Sequence, residues 1–569
     1  MIIFSYYLFA VFWAIRTAKT TLFWLYLWQL KEYHIGRFTA HFQTYKGKRL
    51  IFNKVVFVKL LIFLFLALLC LIPFLGFQLY EYYFGSFAEQ IIILGIISFA
   101  LLFIIYFLEV ILFIKDAVLK ILKLPVLTKK SIFLIILGVG FEILFLIAVL
   151  RLNLWLKSSS AFFSFSKIIF YLGLELLFYD ILVPAISSII VLILQPFTAL
   201  LRSQFLLKKA KKKIEDHKDL LVIGITGSYG KSSTKEFLST ILSHKFNVLK
   251  TFKNQNSEAG ISQGILKNLK PEHQIFIAEM GAYRKGGIKL LTDIVRPKIG
   301  ILTGINNQHL ALFKSQENII KAKYELIKSL SRDGLAVFNG ANNYILGLYD
   351  KTNIKKRLSQ MDKNRNEADI WAENIVAEKE YLCFDAVLKS GHRANFKVNV
   401  LGRHNIENLL LAVLVSFELK MTLDEIREAA LKIKACDSGL SIKKGAGGLN
   451  IIDSSYSANF SGVISDLDYL KIWQAKKIVV MPCLIELGKD AKSVHEKIGR
   501  KLKEVSDMAI ITEKDYFKEI KKGAFNSSNI IFESNPKKII DKIKSFASYN
   551  DVVLLEGRVP DKIVKMIVN

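Results

Sequence analysis

A chain of 569 residues is long enough for three or four domains, and a 52% hydrophobic share with positive mean hydropathy excludes a water-soluble enzyme along its whole length. The formal charge of +29 is carried by short basic runs beside apolar segments and by scattered residues, with no zinc-finger spacing, recognition-helix pattern or interleaved aromatics, so no nucleic-acid partner is expected. Cys70, Cys383, Cys436 and Cys483 lie far apart, which excludes a disulfide framework and a Cys-x-x-Cys metal site and points to a reducing compartment.

The first two hundred residues carry the apolar excess. A bilayer core needs about 20 apolar residues in a helix. Leu60 to Tyr80 supplies that length without a charge, Ile91 to Ile114 with only Glu109, and Ile132 to Leu150 around Glu142. Ile2 to Leu30, interrupted by Arg16 and Lys19, and Ile168 to Leu194, with Glu175, Asp180 and Pro184, read as two further spans. The first lacks a basic leader and a small-residue cleavage site, so it is expected to remain in the mature chain. Residues 1–200 are therefore expected to form a transmembrane region of about five helices. The loops from Lys31 to Lys59, Lys115 to Lys130 and Arg202 to Lys218 hold 19 Lys and Arg, against three from Arg151 to Lys167 and none from Glu81 to Gln90. The positive-inside rule then predicts a multi-pass protein of the inner membrane with its second half in the cytoplasm. Glu142, Glu175 and Asp180 either contact a lipid headgroup or ion at membrane depth, or the last segment is partly interfacial.

Residues 201–220 form a basic boundary around Lys208-Lys209-Ala210-Lys211-Lys212-Lys213, which is either an anchor to anionic headgroups or a solvated linker. An apolar run from Leu221 to Thr226 reads as a strand, followed by Gly227-Ser228-Tyr229-Gly230-Lys231-Ser232-Ser233-Thr234 and a helical pattern from Lys235 to Leu242. Strand, glycine loop and helix present backbone N–H groups and a helix N-terminus to phosphate oxygens. Gly227, Ser228, Gly230, Lys231, Ser232 and Ser233 are thus candidate nucleotide contacts, with Lys231 on the outer phosphates and the Ser232 hydroxyl on Mg2+. The general pattern G-x-x-x-x-G-K-S/T asks for glycine where Ile225 stands.

Downstream, an apolar strand from Gln274 to Ala278 ends in Glu279-Met280-Gly281, where a carboxylate at a strand end beside a phosphate loop suits Mg2+. From Gly224 onward, with glycines at 224, 227 and 230, the chain resembles the Mur ligase family, with motifs in the family's order to near the C-terminus. The resemblance implies that Asn254 and Asn256, within Asn254-Gln255-Asn256-Ser257-Glu258-Ala259-Gly260, lie near substrate and phosphates. It implies that His309, in Asn306-Asn307-Gln308-His309, binds metal. Lys323, in Lys321-Ala322-Lys323-Tyr324-Glu325, matches a lysine that several members carry as a carbamate, and is otherwise one more charge on a solvated helix face. Asn339 and Asn342 match a nucleotide-contacting turn, with Ala341 where the family usually has Asp. His404 and Asn405, in Leu401-Gly402-Arg403-His404-Asn405-Ile406-Glu407-Asn408, match a pair that lies against the adenine.

Asp453, Tyr456 and Asn459 match an acidic substrate-side segment whose second acid is Ser454 here, and Cys483-Leu484-Ile485-Glu486-Leu487-Gly488 with downstream His495 resembles the branch that adds D-alanyl-D-alanine to a UDP-linked muramoyl tripeptide. The family's Gly-Arg appears as Gly439-Leu440 and its Lys-Gly-Ser as Glu556-Gly557-Arg558, where Arg558 is a candidate for the missing cation.

Alternating strands and helices imply α/β domains behind the α-helical membrane region. The resemblance implies a P-loop central ATP-binding domain at 221–400 and a Rossmann-like C-terminal domain at 401–569. The expected activity is an ATP- and Mg2+-dependent ligation through an acyl phosphate in peptidoglycan precursor synthesis. The substrates are small molecules or peptides, UDP-linked or lipid-linked, because membrane spans stand where the family keeps its UDP-sugar domain. Ligation onto a lipid-linked or poly-amino-acid carboxylate, and a non-catalytic ATP-binding membrane scaffold, are the rival readings. A transporter is disfavoured by the lack of a Leu-Ser-Gly-Gly-Gln signature.

Overall fold

The computed structural model describes residues 2–42, 44–51, 53–75, 85–159, 165–252, 255–307, 310–362, 367–434, 439–455 and 459–568. Two compact units divide the chain, Met1–Leu201 and Arg202–Asn569.

The first unit is all helix: α1 (Ile2–Leu30), the short α2 (Ile35–Phe42) and α3 (Tyr45–Ile51), then α4 (Lys54–Leu75), α5 (Gly85–Val118), α6 (Lys129–Ser159) and α7 (Phe165–Leu201). Among the described residues five helices are long and apolar enough to cross a membrane. Each expected span coincides with or overlaps one of them; four of the five helices run on into flanking polar residues, and residues 76–80 of the expected span Leu60 to Tyr80 lie outside the described residues. Trp13, Phe9, Leu102, Tyr106, Leu172 and Leu176 meet in the interior, while Leu64, Leu108, Ile136 and Ile193 face outward. That distribution of apolar side chains on both the inside and the outside suits a hydrocarbon solvent.

The second unit opens with a π-helical segment (Arg202–Leu207) that runs into α8 (Lys208–Asp216). Its Ala210 and Ile214 are one turn apart and buried, and Lys213 donates to the Leu266 carbonyl at 3.1 Å. The basic stretch is thus an amphipathic helix seated on the domain that follows. Next come β1 (Leu221–Thr226), α9 (Lys231–Leu242), β2 (Val248–Lys250), α10 (Glu258–Asn268), β3 (Ile275–Glu279), α11 (Gly287–Val295), β4 (Ile299–Leu302), α12 (Leu310–Phe313), α13 (Gln316–Lys328), β5 (Leu335–Asn339), α14 (Asn343–Asp350), β6 (Lys356–Gln360), β7 (Ile370–Ala377), β8 (Leu382–Leu388) and β9 (Arg393–Val398). They form a nine-stranded sheet, ordered β2-β3-β1-β4-β5-β6-β7-β8-β9, parallel as far as β7 and antiparallel beyond. Strands β1, β3, β4 and β5 are apolar up to the polar residues that end β1, β3 and β5, because helices cover both faces.

The helices α15 (Asn405–Glu418) and α16 (Leu423–Ala430) pack on the first sheet. A second sheet then follows, from β10 (Ser441–Lys444), β11 (Asn450–Ser454), α17 (Phe460–Leu470), β12 (Lys477–Met481), α18 (Ala491–Val505), β13 (Met508–Ile511), α19 (Phe517–Gly523), β14 (Ile530–Phe532), α20 (Pro536–Phe546), β15 (Val552–Glu556) and α21 (Asp561–Val568). Its order is β10-β11-β15-β12-β13-β14, with only β10 antiparallel. In the first sheet β1 lies between β3 and β4. The loops leaving β1, β3 and β4 therefore open side by side at one edge, the place where open parallel sheets bind ligands.

Candidate active site

The loop after β1 is built for close approach. Gly230 caps α9 with φ +78°, a left-handed conformation that favours glycine, and a Cβ there would collide with Oδ1 of Asn408. At Gly227 a Cβ would run into the Thr303 side chain and the Gly304 backbone. No side chain caps α9, so the positive end of its dipole faces the loop. The Ser228 N–H donates to Gly304 O at 2.6 Å, and its buried hydroxyl has no partner among the described residues. Lys231 Nζ is folded onto its own loop, 2.8 Å from Gly227 O and 3.4 Å from Ser228 O. Burial holds this ammonium below the usual lysine range, opposed in part by Glu279. An orphaned hydroxyl, an uncapped helix and a cation bonded only to carbonyls fit an incoming phosphate, and Ser233 lies in the same first turn.

The structure brings Glu279 to this loop. It ends β3, 2% exposed. Its Oε2 accepts from the Ser232 hydroxyl at 3.0 Å and from Lys235 Nζ at 3.2 Å, and its Oε1 from Asn256 Nδ2 at 3.1 Å. Thr251 Oγ1 accepts from its backbone N–H at 3.0 Å. A hydroxyl and a carboxylate at hydrogen-bond distance form the oxygen pair a hard divalent cation takes, so these residues fit Mg2+. Lys235, absent from the sequence expectations, neutralises Glu279. It sits one turn after Lys231, a position no phosphate-loop pattern specifies.

Lys323 is the third element. It lies on α13, only 4% exposed, with no side-chain hydrogen bond to a described residue. Burial, with a smaller contribution from the charge of Lys231, pushes its pKa down to about 7 against the pull of Glu325 and Glu279. Near neutral pH about half of it is therefore an uncharged amine, which a solvated helix lysine is not.

Behind the loop, Thr234 Oγ1 donates to Asn408 Oδ1 at 3.2 Å, Asn408 Nδ2 to Asn405 Oδ1 at 3.0 Å, and Asn405 Nδ2 to Leu401 O at 2.8 Å. Asn408 thus ties α15 to α9, and Asn405 holds its amide in place. Next to Asn405, His404 is held below the usual imidazole range by burial, and its Nδ1 has no partner among the described residues. Asn339, 1% exposed, donates to Thr303 O and Glu407 Oε2, both at 2.7 Å, and accepts from Ala341 N at 3.0 Å, so its whole amide is used in bracing β4 and α15. Asn342 caps α14 and donates to Ile305 O at 2.8 Å and to the Tyr229 hydroxyl at 3.1 Å.

The second sheet contributes from its own edge. Asn459 caps α17 and its Oδ1 accepts from Asn306 Nδ2 at 3.1 Å, which brings the expected Asn306 and Asn459 motifs together. Asp453 is paired with Lys443 Nζ at 2.6 Å and accepts from Ser455. Arg558 is exposed and makes no ion pair with a described residue. His495 is fully buried, accepts at Nε2 from Leu484 N at 3.0 Å and meets Ala491 O at 2.6 Å through Nδ1. It fixes the turn whose Glu486 carbonyl accepts from Ala311 N at 3.2 Å.

The departures converge as well. Ser454 pairs in register with Glu556 across β11 and β15 and donates to Asp466 Oδ2 at 2.5 Å. Glu556 is raised well above the carboxylate range by burial and then by Asp466. Asp466 is raised by burial against the pull of His404. No spacing rule in the sequence joins Asp466 to Glu556. The expected contacts Asn254, His309 and Tyr456 lie outside the described residues.

Comparison with known proteins agrees with this geometry. Residues 225–416 match the Mur ligase middle domain and residues 440–559 the Mur ligase glutamate ligase domain, together more than half of the chain. A UDP-N-acetylmuramoyl-tripeptide--D-alanyl-D-alanine ligase of Buchnera aphidicola is 29% identical over 59% of this chain and 73% of its own length. The enzyme of the same name from Escherichia coli is 30% identical over 50% of this chain and 62% of its length. Among solved structures, MurF ligase from Thermotoga maritima in complex with ADP aligns with a TM-score of 0.57 at 25% identity, covering 64% of this chain and 82% of that one. MurF from Acinetobacter baumannii shares the fold, with a TM-score of 0.58 at 23% identity, over 63% and 79%.

Proposed function

Because the chain belongs to the Mur ligase family, we propose that it joins a carboxylate to an amine at the expense of ATP, through an acyl phosphate, in peptidoglycan precursor synthesis. The observation that carries this is the convergence of the Gly227–Ser232 loop, Glu279 and the buried Lys323.

The loop and the start of α9 hold the phosphates, and Lys231 leaves the Gly227 carbonyl to meet them. Ser232 and Glu279 would hold Mg2+, which supplies charge withdrawal from the terminal phosphate when bound. Lys235 and Asn256 fix the Glu279 carboxylate so that its oxygens do not reorganise as charge develops. The substrate carboxylate attacks the terminal phosphorus and ADP leaves. The amine then attacks the acyl carbon, and phosphate leaves with the former carboxylate oxygen. As a free amine Lys323 would take up carbon dioxide and release a proton, and its carbamate would offer two further oxygens beside the loop. His404 lines the nucleotide side, and Asn459 and Arg558 the amine side. No protein nucleophile is needed; the chain positions and stabilises.

The relatives' names favour D-alanyl-D-alanine as the amine and a UDP-linked muramoyl tripeptide as the acid. The five apolar helices favour a second reading, an acid carried on a lipid, with Arg202–Asn569 on the cytoplasmic side of the inner membrane. A mass-spectrometric screen of UDP-linked against lipid-linked tripeptides, each with ATP, Mg2+, bicarbonate and D-alanyl-D-alanine, separates them. ADP release that depends on acid and amine together is the expected result. Release indifferent to every acid and amine tried would overturn the ligase reading.

A further inference from the structure

Among the described residues, the first unit holds more inward carboxyls than its cations neutralise. Arg16 Nε meets Glu109 Oε1 at 2.7 Å, and Lys59 Nζ bridges Glu109 Oε2 at 2.6 Å and Asp180 Oδ2 at 2.7 Å. Tyr106 donates to Asp180 at 3.0 Å. Two cations answer two acids there. Glu142 and Glu175 are the excess. Glu142, 2% exposed, accepts from the Thr17 hydroxyl at one oxygen, and its Oε2 has no hydrogen-bond partner among the described residues. Glu175, half-buried, accepts from Asn153 Nδ2 at 2.8 Å. Neither forms an ion pair with a described residue. A structural clamp would match every buried acid with a cation, because an unpaired ion in a low-dielectric interior costs several kcal/mol.

These groups are strung along the bundle. Arg16 and Lys19 of α1 pair with Glu109 and Asp116 of α5 in the same order, and Trp13 and Trp28 bond Leu176 and Ser188 of α7 in the same order, so α1, α5 and α7 run parallel. With a rise of about 1.5 Å per residue, Glu175 stands about 7.5 Å from Asp180 along α7, and Glu109 about 10.5 Å from Asp116 along α5. Lys59 joins the two segments. The line from Glu175 to Asp116 covers about 18 Å of a hydrocarbon core of about 30 Å. Asp116 ends it half-exposed. Towards the other end Tyr6 Oη and Asn153 Oδ1 are buried and, like Glu142 Oε2, have no partner among the described residues. Buried polar atoms without protein partners are the places where a protein interior takes up water, and water between carboxyls would pass protons.

We propose that this line conducts protons across the membrane, with Glu142 and Glu175 as carriers and Asp180 as the exchange point. Protonating Asp180 neutralises it and releases Lys59 to Glu109; losing the proton restores the bridge. One proton enters and one leaves, and no other reactant is consumed.

The test uses the full-length protein in phosphatidylcholine–phosphatidylglycerol vesicles loaded with a pH-sensitive dye, with a potassium gradient and valinomycin setting the potential. Proton entry should run at least roughly tenfold faster than in protein-free vesicles. Glu142→Gln and Glu175→Gln should each return it to the protein-free rate. Both variants should keep the wild-type thermal unfolding and ADP binding, which separates a lost relay from a lost fold. Wild-type flux equal to that of empty vesicles overturns the proposal, as does undiminished flux in folded Glu142→Gln.

Discussion

Lys323 carries the sharpest chemistry at the residue scale. An amine pushed down to about 7 by burial is the form that adds carbon dioxide, so turnover should require bicarbonate and rise as pH passes through about 7. Lys323→Ala should lower turnover roughly 100-fold, the scale expected when one charge-stabilising group is lost; steady-state ADP release with and without bicarbonate measures both effects. Glu556 titrates in the opposite sense. Its carboxyl, raised by burial and by Asp466, keeps a proton in the folded chain that the unfolded chain loses above about pH 4.3. The folded state then binds more protons, and stability falls as pH rises. Glu556→Gln should therefore unfold at a higher temperature than wild type, by a margin that widens from about pH 5 to about pH 8; differential scanning calorimetry across that range tests it. Lys231, Ser232 and Glu279 were legible in the sequence because each sits at a strand end or first helical turn, positions that local pattern specifies. Lys235, Asp466 and the bracing role of Asn339 were not, since their partners are supplied by sheet register and helix packing.

Among the elements, α9 and α15 act as a pair. Thr234, Asn408 and Asn405 link them by side-chain hydrogen bonds directly behind Gly230. Asn408→Ala strands the buried Thr234 hydroxyl and the Asn405 carbonyl oxygen, and should cost about 1–3 kcal/mol of stability. Gly230→Ala combines a left-handed φ with a collision at Asn408, so ADP affinity should fall at least tenfold, while Gly286→Ala, which shares a left-handed φ of +77° but where a Cβ meets nothing, leaves it unchanged. Isothermal titration with ADP distinguishes the two. The strands β1, β3 and β4 were readable as short apolar runs, whereas the basic segment before them read as an anchor or a solvated tether. Its Ala210 and Ile214 form a stripe too short to stand out among five lysines, and only the surface of α10 and α11 reveals what it covers.

The whole molecule joins a helical unit suited to lipid with a two-sheet α/β unit suited to water. The helical half was legible as hydropathy, since each of its five long apolar helices is long enough to cross a bilayer. Its interior was not, because Arg16, Lys59, Glu109 and Asp180 are scattered over 165 residues and only packing pairs them. The full-length chain should remain in the membrane pellet after alkaline carbonate washing, and protease added to inside-out vesicles should digest residues beyond Arg202 while right-side-out vesicles protect them. The reverse protection pattern would contradict the orientation. The central claim, ligation through an acyl phosphate, is tested most directly by following oxygen. With the acid substrate labelled with oxygen-18 in its reacting carboxylate, the account predicts one labelled oxygen in the released phosphate for each amide formed, and neither product with Lys231→Ala. Amide formed with unlabelled phosphate, or label transfer that survives Lys231→Ala, would contradict it.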